Sequence, residues 1–273
     1  MSDVVKPFVY KLGVKVPFDV TFVIVHHSVT ILPDRVFESR RQLKNVQLLE
    51  GIEEIGWRAF ADCISLACIT CPSTLTKIVK YAFYGCRSLK EVQLPDGLQE
   101  IRKNAFAWCI SLERINYPSA LIEIGHCAFA YCRSLKEAKL PEGLEEIGDS
   151  AFYDCHSLTN VTLMGGVVTI VKGAFEECNL LEGVTISSNA FVVELEVDSD
   201  GDFEGDSDSD SEVFTCRLVI LDDGITALSN ATQMIISPER LNYISLPDLL
   251  EIENTINTIM NGNERTTREN IER

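Results

Sequence analysis

The chain has 273 residues, 46% of them hydrophobic, and its 41 acidic side chains outnumber 24 Lys and Arg, which gives a net charge of -17. This balance argues against binding to nucleic acid or to an anionic membrane through a basic patch, since both require clustered positive charge. The first residues do not resemble a signal peptide, and no run reaches the roughly 18 apolar residues of a membrane span. We therefore expect a cytoplasmic protein without a membrane partner.

The first part of the chain, residues 1–19, is predicted to be an N-terminal cap. Apolar and polar residues alternate loosely here, and the segment contains Pro7, Gly13 and Pro17. A short extended segment or a hairpin is expected, because the end of a repeat array must cover apolar surface that internal repeats hide against each other.

A repeat of 23 residues follows and fills the centre of the chain. An Ala-Phe pair returns at this interval at Ala59-Phe60, Ala82-Phe83, Ala105-Phe106, Ala128-Phe129, Ala151-Phe152 and Ala174-Phe175. Each copy also has a Leu-x-x-Val-x-Leu segment, in which apolar and polar residues alternate as in a half-buried strand. A fixed period of this length indicates a solenoid. We predict about eight rungs within residues 20–193.

The complete pattern is Leu-x-x-Val-x-Leu-Pro-x-Gly-Leu-x-x-Ile-x-x-x-Ala-Phe-x-x-Cys-x-Ser. It resembles the BspA-like class of leucine-rich repeats over residues 20–190. The resemblance implies a curved α/β repeat solenoid with a parallel β-sheet on its concave face. It also implies a non-catalytic protein-binding module, although some members are cell-surface adhesins. The asparagine that many leucine-rich repeats carry after the strand is missing, as at Gly51, Thr74 and Ala120, so no asparagine ladder is expected.

The outward strand positions of the middle rungs are the candidate binding residues. They are polar or charged with both signs, and they are Lys90, Glu91, Gln93, Glu113, Arg114, Asn116, Lys136, Glu137 and Lys139. If the array binds as its relatives do, its partner is a protein or peptide held against this concave face. The alternative is an ordinary solvated face, since no exposed aromatic cluster marks a hot spot among these residues.

Six of the ten cysteines follow the repeat, each three residues after the Phe: Cys63, Cys86, Cys109, Cys132, Cys155 and Cys178. We expect a ladder of small, buried, apolar groups. Disulfides between neighbouring rungs are within geometric reach, but they need an oxidising compartment that nothing in the sequence indicates. Arg40 takes the ladder position in an early repeat and is expected to be exposed or paired.

The remaining cysteines do not predict a site. Cys68 and Cys71 have the spacing of a metal pair, but they take outward and inward strand positions, so their thiols should face opposite sides. Cys127 follows His126, and His156 follows Cys155. Adjacent residues rarely form a nucleophile–base pair, and the sequence places no acid to orient either His. We therefore expect no catalytic residue, no metal and no cofactor, and hence no enzyme.

An acidic segment interrupts the pattern at residues 194–212, where 10 of 19 residues are Asp or Glu. So few apolar groups cannot offset the entropy of ordering, and a disordered insertion is predicted. No register of it meets the EF-hand pattern, which needs Gly at the sixth and an acid at the twelfth place. It is a solvated spacer, a weak calcium-binding segment, or a phosphorylated one through Ser199, Ser207 and Ser209, each followed three residues later by an acid.

The last part, residues 213–273, is predicted to be a C-terminal strand and a helical cap with a frayed tail. Residues 216–221 have the composition of a strand. Ser237 and Ser245 each precede a Pro within the next two residues, a pattern typical of a helix start. The second helix has a one-sided apolar stripe.

Overall fold

The computed structural model describes residues 6–164, 166–171, 173–181, 184–187, 190–197, 214–218 and 233–236. Within these ranges the chain forms nineteen strands and no helix. In chain order the strands are β1 (Phe8–Tyr10), β2 (Phe22–Val25), β3 (Ile31–Leu32), β4 (Asn45–Leu48), β5 (Glu54–Ile55), β6 (Cys68–Thr70), β7 (Lys77–Ile78), β8 (Glu91–Gln93), β9 (Glu100–Ile101), β10 (Arg114–Ile115), β11 (Glu123–Ile124), β12 (Glu137–Leu140), β13 (Glu146–Ile147), β14 (Asn160–Leu163), β15 (Gly166–Val171), β16 (Val184–Ser187), β17 (Ala190–Val197), β18 (Phe214–Leu218) and β19 (Gln233–Ile236).

The strands predicted at the Leu-x-x-Val-x-Leu segments are present and form what we call the primary row. It consists of eight strands, β2, β4, β6, β8, β10, β12, β14 and β16, and about seven turns of a solenoid lie between the first and the last. Neighbours pair in parallel and in repeat register, except β10 and β12, so that Ile69 lies opposite Val92, for example. At the start, β1 pairs with β2 in parallel, which makes the N-terminal segment an extended strand and not a hairpin.

A secondary row of shorter strands runs along another side of the solenoid. It joins β3, β5, β7, β9, β11, β13, β15 and β17 in one sheet, which β18 extends. The isoleucines that end these strands lie opposite one another from rung to rung, as Ile78 and Ile101 do. Their side chains are fully buried, because one face of each two-residue strand points into the core.

The return leg that carries the Ala-Phe pair has two residues of left-handed backbone, four positions apart. In successive rungs they are Asn104 (φ 56°) with Trp108 (φ 63°), and Cys127 (φ 52°) with Tyr131 (φ 63°). A left-handed residue every four positions is incompatible with an α-helix of L-residues. This leg is therefore a pair of turns, and the α/β class predicted from the sequence is corrected to an all-β solenoid for the described residues.

The backbone bonds of this leg alternate between its own turn and the next rung. The Ala105 N–H donates to the Arg102 carbonyl within the turn at 3.0 Å, and the Phe106 N–H donates to the Ala128 carbonyl of the following rung at 2.8 Å. The same pair of bonds recurs at Ala59-Phe60, Ala82-Phe83, Ala128-Phe129 and Ala151-Phe152. Each turn is thus closed on itself and tied to its neighbour, as buried backbone groups require.

A column of phenylalanine rings fills the core. Phe37, Phe60, Phe83, Phe106, Phe129 and Phe152 are fully buried. Successive rings stack nearly parallel, with centroids 5.0 Å apart between Phe83 and Phe106 and 5.4 Å apart between Phe106 and Phe129. This spacing follows the separation of neighbouring strands, so the fixed period produces the stack.

The six repeat cysteines are buried beside this column, as predicted. Each thiol donates to the carbonyl of a Phe that lies 26 residues earlier, as Cys109 does to Phe83 at 3.3 Å. The nine cysteines whose side chains the structure describes are free thiols. Arg40 ends the ladder and is paired, as expected: its guanidinium donates to the carbonyls of Glu38 at 2.8 Å and Val16 at 3.1 Å.

The C-terminal end of the solenoid is built from antiparallel strands. β18 pairs with β17, and β19 pairs with β16. β17 extends to Val197, so the first four residues of the predicted acidic insertion lie in a strand. Residues 198–213, with Ser199, Ser207 and Ser209, lie outside the described residues, and so do residues 237–273, where the helical cap and frayed tail are predicted.

Candidate functional site

The primary row is interrupted in its middle. Its first sheet ends at β10, and its second begins at β12, so these two strands are not paired in the part of the chain that the structure describes. The secondary row is continuous past the same point, since β9, β11 and β13 pair in sequence. The gap is therefore local to one side of the solenoid.

Asn116 accounts for the early end of β10. Its side-chain Oδ1 accepts from the Leu94 N–H at 2.8 Å, and its Nδ2 donates to the Leu94 carbonyl at 2.8 Å. One rung earlier, the N–H of Cys71 donates to the backbone carbonyl of Gln93. The amide of Asn116 thus replaces the main chain in the ladder, and the strand stops at Ile115.

Tyr117 adds to the interruption by its size. It takes the inward strand position that Leu94 and Leu140 hold in the neighbouring rungs, and its ring meets Phe129 edge to face with centroids 5.7 Å apart. Its hydroxyl oxygen is buried and has no hydrogen-bond partner among the described residues. Burial raises the pKa of Tyr117 well above its usual value.

A groove of about 520 Å³ lies at this gap. It is lined by Glu91, Val92, Gln93, Leu94, Glu113, Arg114, Ile115, Asn116 and Glu137. Six of these nine are among the predicted binding residues, and they come from three successive rungs. The other three predicted residues are exposed: Lys90 immediately precedes β8, Lys136 immediately precedes β12, and Lys139 lies on β12.

The groove is acidic, with lysines around it. Arg114 is the basic side chain in its lining, and its Nη2 lies 3.1 Å from Oε2 of Glu91. Glu113 is exposed, and the Glu137 carboxylate contacts Lys139 at 3.3 Å. These are solvent-exposed pairs, which contribute little to stability, so their charges are available to a partner at small cost.

One aromatic row was not foreseen from the sequence. Trp108, Tyr131 and Tyr153 are half-buried along the return legs, with ring centroids 4.0 Å apart for the first pair and 5.4 Å for the second. Trp108 and Tyr131 occupy one left-handed position of the repeat. Ser39 and Asp62 occupy the same position in early repeats. Bulky residues are rare in this conformation, and that mismatch between residue type and repeat position is the signal that could have found them.

The expectation that no acid orients a histidine is wrong. His126 Nδ1 lies 3.0 Å from Oδ2 of Asp149, and His126 Nε2 lies 3.3 Å from the Sγ of Cys127. The second pair differs: His156 contacts Asp154 at 2.6 Å, whereas the Cys155 thiol points inward to the Phe129 carbonyl. The acid that contacts His126 comes from the next rung, which sequence adjacency cannot show, whereas Asp154 lies only two residues before His156.

Close backbone contact between the rungs sets this geometry. A Cβ added at Gly148 would lie 2.7 Å from the backbone nitrogen of His126, so only glycine allows the approach. The Cys127 N–H donates to the Asp149 carbonyl at 2.9 Å. The hydrogen bond from His126 lowers the pKa of Asp149, and the same bond raises the pKa of His126 to about 9.

Cys68 is exposed and Cys71 is buried, so the pair faces opposite sides, as predicted. Among the described residues, no group of three or more His, Cys, Asp or Glu side chains is arranged to hold a metal ion. No helix in the described ranges is long and apolar enough to cross a membrane.

The family is decided by comparison with known proteins. The family model of the BspA type leucine rich repeat region (6 copies) matches residues 18–132 and 99–197. The chain belongs to the BspA-type leucine-rich repeat family. Proteins of this family typically act in protein interaction or at surfaces, and their fold is generally non-enzymatic. No curated protein matches the chain at a significant level.

Solved structures of other leucine-rich repeat proteins resemble the chain to different degrees. The leucine-rich repeat protein of T. pallidum is 37% identical, with 55% of this chain and 72% of that chain covered and a TM-score of 0.50. A leucine-rich repeat protein of Eubacterium ventriosum is 19% identical, covering 62% of this chain and 57% of that one, with a TM-score of 0.49. A leucine rich cell surface protein of Faecalibacterium prausnitzii is 23% identical, covering 62% and 60%, with a TM-score of 0.34.

Proposed function

We propose that this BspA-type repeat protein is a non-catalytic binding module that holds a protein partner in the groove at the break of the primary row. The observation that carries the proposal is the groove itself, where three rungs contribute polar side chains around a gap between β10 and β12. Its volume of about 520 Å³ suits a few side chains of an extended peptide segment.

The charges of the groove define the partner segment. Three carboxylates, Glu91, Glu113 and Glu137, line it against one basic side chain, Arg114, while Lys136 and Lys139 are exposed beside it. A segment with Lys or Arg that enters the groove and an acidic residue directed to the lysines would match both signs. Complementarity of this kind sets partner choice and the association rate more than it sets affinity.

The expected affinity is moderate and depends on salt. The groove has no aromatic anchor in its lining, and such anchors provide most of the binding energy in tight interfaces. Exposed charge pairs are screened over about 8 Å at physiological ionic strength. Raising the salt concentration should therefore weaken the complex mainly by slowing association.

The test is affinity capture with the full chain, followed by mass spectrometry of the retained proteins. Glu113→Lys with Glu137→Lys reverses the groove, and Glu142→Lys with Glu145→Lys is a matched control that makes the same charge change at exposed positions outside it. We expect the first double variant to lose the partners that the wild type and the control keep. A second reversal, of Lys90, Arg114, Lys136 and Lys139 to Glu, should also reduce capture.

Trp108→Ala separates the groove from the aromatic row on the return legs. If the partners depend on Trp108 and are unaffected by both groove reversals, the proposal is wrong and the aromatic row is the binding surface. Retention of every partner by all of these variants would also contradict it.

A cytoplasmic location is part of this proposal, and fractionation with an antibody to the chain tests it. Recovery at the cell surface would support the adhesin alternative instead.

The acidic segment, residues 194–212, carries the second alternative. Titration calorimetry with calcium, and mass spectrometry of Ser199, Ser207 and Ser209 after treatment with an acid-directed kinase, would decide whether it regulates binding.

A further inference from the structure

Four side chains from two rungs form a connected cluster on the return legs, away from the groove. The Ser150 hydroxyl donates to Oδ1 of Asp149 at 3.1 Å. Oδ2 of Asp149 contacts His126 Nδ1 at 3.0 Å, and His126 Nε2 contacts Cys127 Sγ at 3.3 Å. Cys127 is half-buried, so its side chain contacts its neighbours without being enclosed in the core.

The repeat does not require this cluster. The position of His126 is Lys103 one rung earlier and Asp149 one rung later, and the position of Cys127 is Asn104 and Ser150 in those rungs. Packing is satisfied by all of these residues, because their side chains are not in the core. The combination of nucleophile, imidazole and carboxylate is therefore specific to this rung.

The arrangement has the order in which an imidazole activates a thiol. Asp149 fixes the ring with Nδ1 toward the carboxylate, which leaves Nε2 for the sulfur. The hydrogen bond from Asp149 raises the pKa of His126 to about 9, so the ring is positively charged at neutral pH. Asp149 and Cys127 are the titratable groups that act on this ring. A charged donor beside a cysteine favours the thiolate, which is the reactive form.

We propose that Cys127 is a reactive thiol that exchanges with low-molecular-weight disulfides, with His126 and Asp149 as its positioning residues. In the reaction, the Cys127 thiolate attacks one sulfur of the disulfide R–S–S–R. The new Cys127–S–S–R bond forms as the old S–S bond breaks, and the electron pair leaves with the second sulfur. That RS⁻ takes the proton of the His126 imidazolium and departs as RSH. Cys127 is oxidised and one half of the disulfide is reduced, so no other oxidant is needed.

The chain contains its own control in Cys68, which is exposed on β6. Cys68 lies on a strand and not on the return leg that carries His126, and neither of its sequence neighbours is a histidine. The six ladder cysteines are buried and should stay unmodified while the protein is folded. Cys132 is especially useful, because trypsin leaves it in the same peptide as Cys127, residues 115–133.

The experiment treats the folded full chain with glutathione disulfide, and separately with iodoacetamide, and follows each cysteine by peptide mass spectrometry over time. Peptides with Cys132 modified are set aside, since they report unfolded molecules. At pH 7 we expect Cys127 to react at least about tenfold faster than Cys68 with both reagents. The ratio of the Cys127 rate to the Cys68 rate should increase as the pH is lowered from 8 to 6. An unassisted thiol loses about tenfold in rate for each pH unit below its pKa.

His126→Gln and Asp149→Asn test the two positioning residues. Each should bring the Cys127 rate to within about threefold of the Cys68 rate and remove the pH dependence of the ratio, without a change at Cys68. Equal rates of Cys127 and Cys68 in the wild type would overturn the proposal. So would a Cys127 rate that both substitutions leave unchanged. Both outcomes are independent of partner capture at the groove.

Discussion

Cys132 and Cys127 are five residues apart in the chain and have opposite environments. Cys132 is fully buried, its thiol donates to the Phe106 carbonyl at 3.3 Å, and burial raises its pKa well above the usual value. Cys127 is half-buried and contacts a histidine that is held by a carboxylate. Cys132 follows the repeat and Cys127 departs from it. The first kind of cysteine is a packing element, and the second carries chemistry.

The same division holds on the strand side of the solenoid. Where Leu140 follows the repeat, it is buried and pairs with Leu163 in the sheet. Where Asn116 and Tyr117 depart from it, the sheet is interrupted and a groove lies beside the gap. In a solenoid each rung contacts its neighbours only, so one altered rung can change the surface locally without loss of the fold.

The largest effect should come from the interior. Phe106→Ala removes a fully buried ring that is stacked 5.0 Å and 5.4 Å from its neighbours. We expect a loss of about 3–5 kcal/mol in the free energy of unfolding, because the cavity lies between two rings that the backbone holds apart. Urea denaturation followed by circular dichroism measures it.

Met164→Ala is the control for that loss. Met164 is 53% exposed, so its truncation should change the free energy of unfolding by no more than about 0.5 kcal/mol. If Phe106→Ala and Met164→Ala had similar effects on the free energy of unfolding, the phenylalanine column would not be a main source of stability.

A smaller effect compares the two cysteines directly. Cys132→Ala should cost about 1–2 kcal/mol, because it leaves a small cavity and an unsatisfied Phe106 carbonyl. Cys127→Ala should change stability by less than about 0.5 kcal/mol, since its side chain is outside the core. Thermal unfolding of the two variants under reducing conditions provides the comparison, and equal losses would contradict the division between them.

Tyr117→Phe tests the rung at the gap. The hydroxyl of Tyr117 is buried without a hydrogen-bond partner among the described residues, so its removal should stabilise the protein by about 1 kcal/mol. The ring contact with Phe129 is kept. An increase in the denaturation midpoint is the expected result, whereas a decrease would show that the hydroxyl is bonded in solution.

The parts of the fold that follow the period were predictable from sequence. The Ala-Phe interval located the phenylalanine column and the cysteine ladder, because residues at one repeat position must stack. The α part of the predicted class was not correct for the described residues, because left-handed residues such as Asn104 and Cys127 exclude a helix on the return leg. The sequence does not reveal this backbone conformation, since no single residue type marks these positions. Ser, Asp, Asn, Cys, Trp and Tyr all occur there.

The candidate sites were predictable only in part. The strand alternation placed Glu113, Arg114 and Glu137 on one face, but it could not show that the Asn116 amide would replace the backbone and end the strand. The Cys127 cluster was missed because its carboxylate, Asp149, comes from the next rung, 23 residues after His126. A search at the repeat period, instead of among adjacent residues, would have found that pair.

The smallest effect concerns this pair and depends on pH. The pKa of His126 is raised from 6.5 to about 9 by its bond to Asp149. Its contribution to stability is therefore complete below about pH 6.5 and is lost as the pH rises through 9. The side chains are 41% and 42% exposed, so solvent screening limits the contribution to less than about 1 kcal/mol. The stability difference between wild type and Asp149→Asn should be largest near pH 6 and should shrink by pH 9.5. His126→Gln should remove that trend, and a difference that instead grew with pH would show that the pair is not formed by the charged ring.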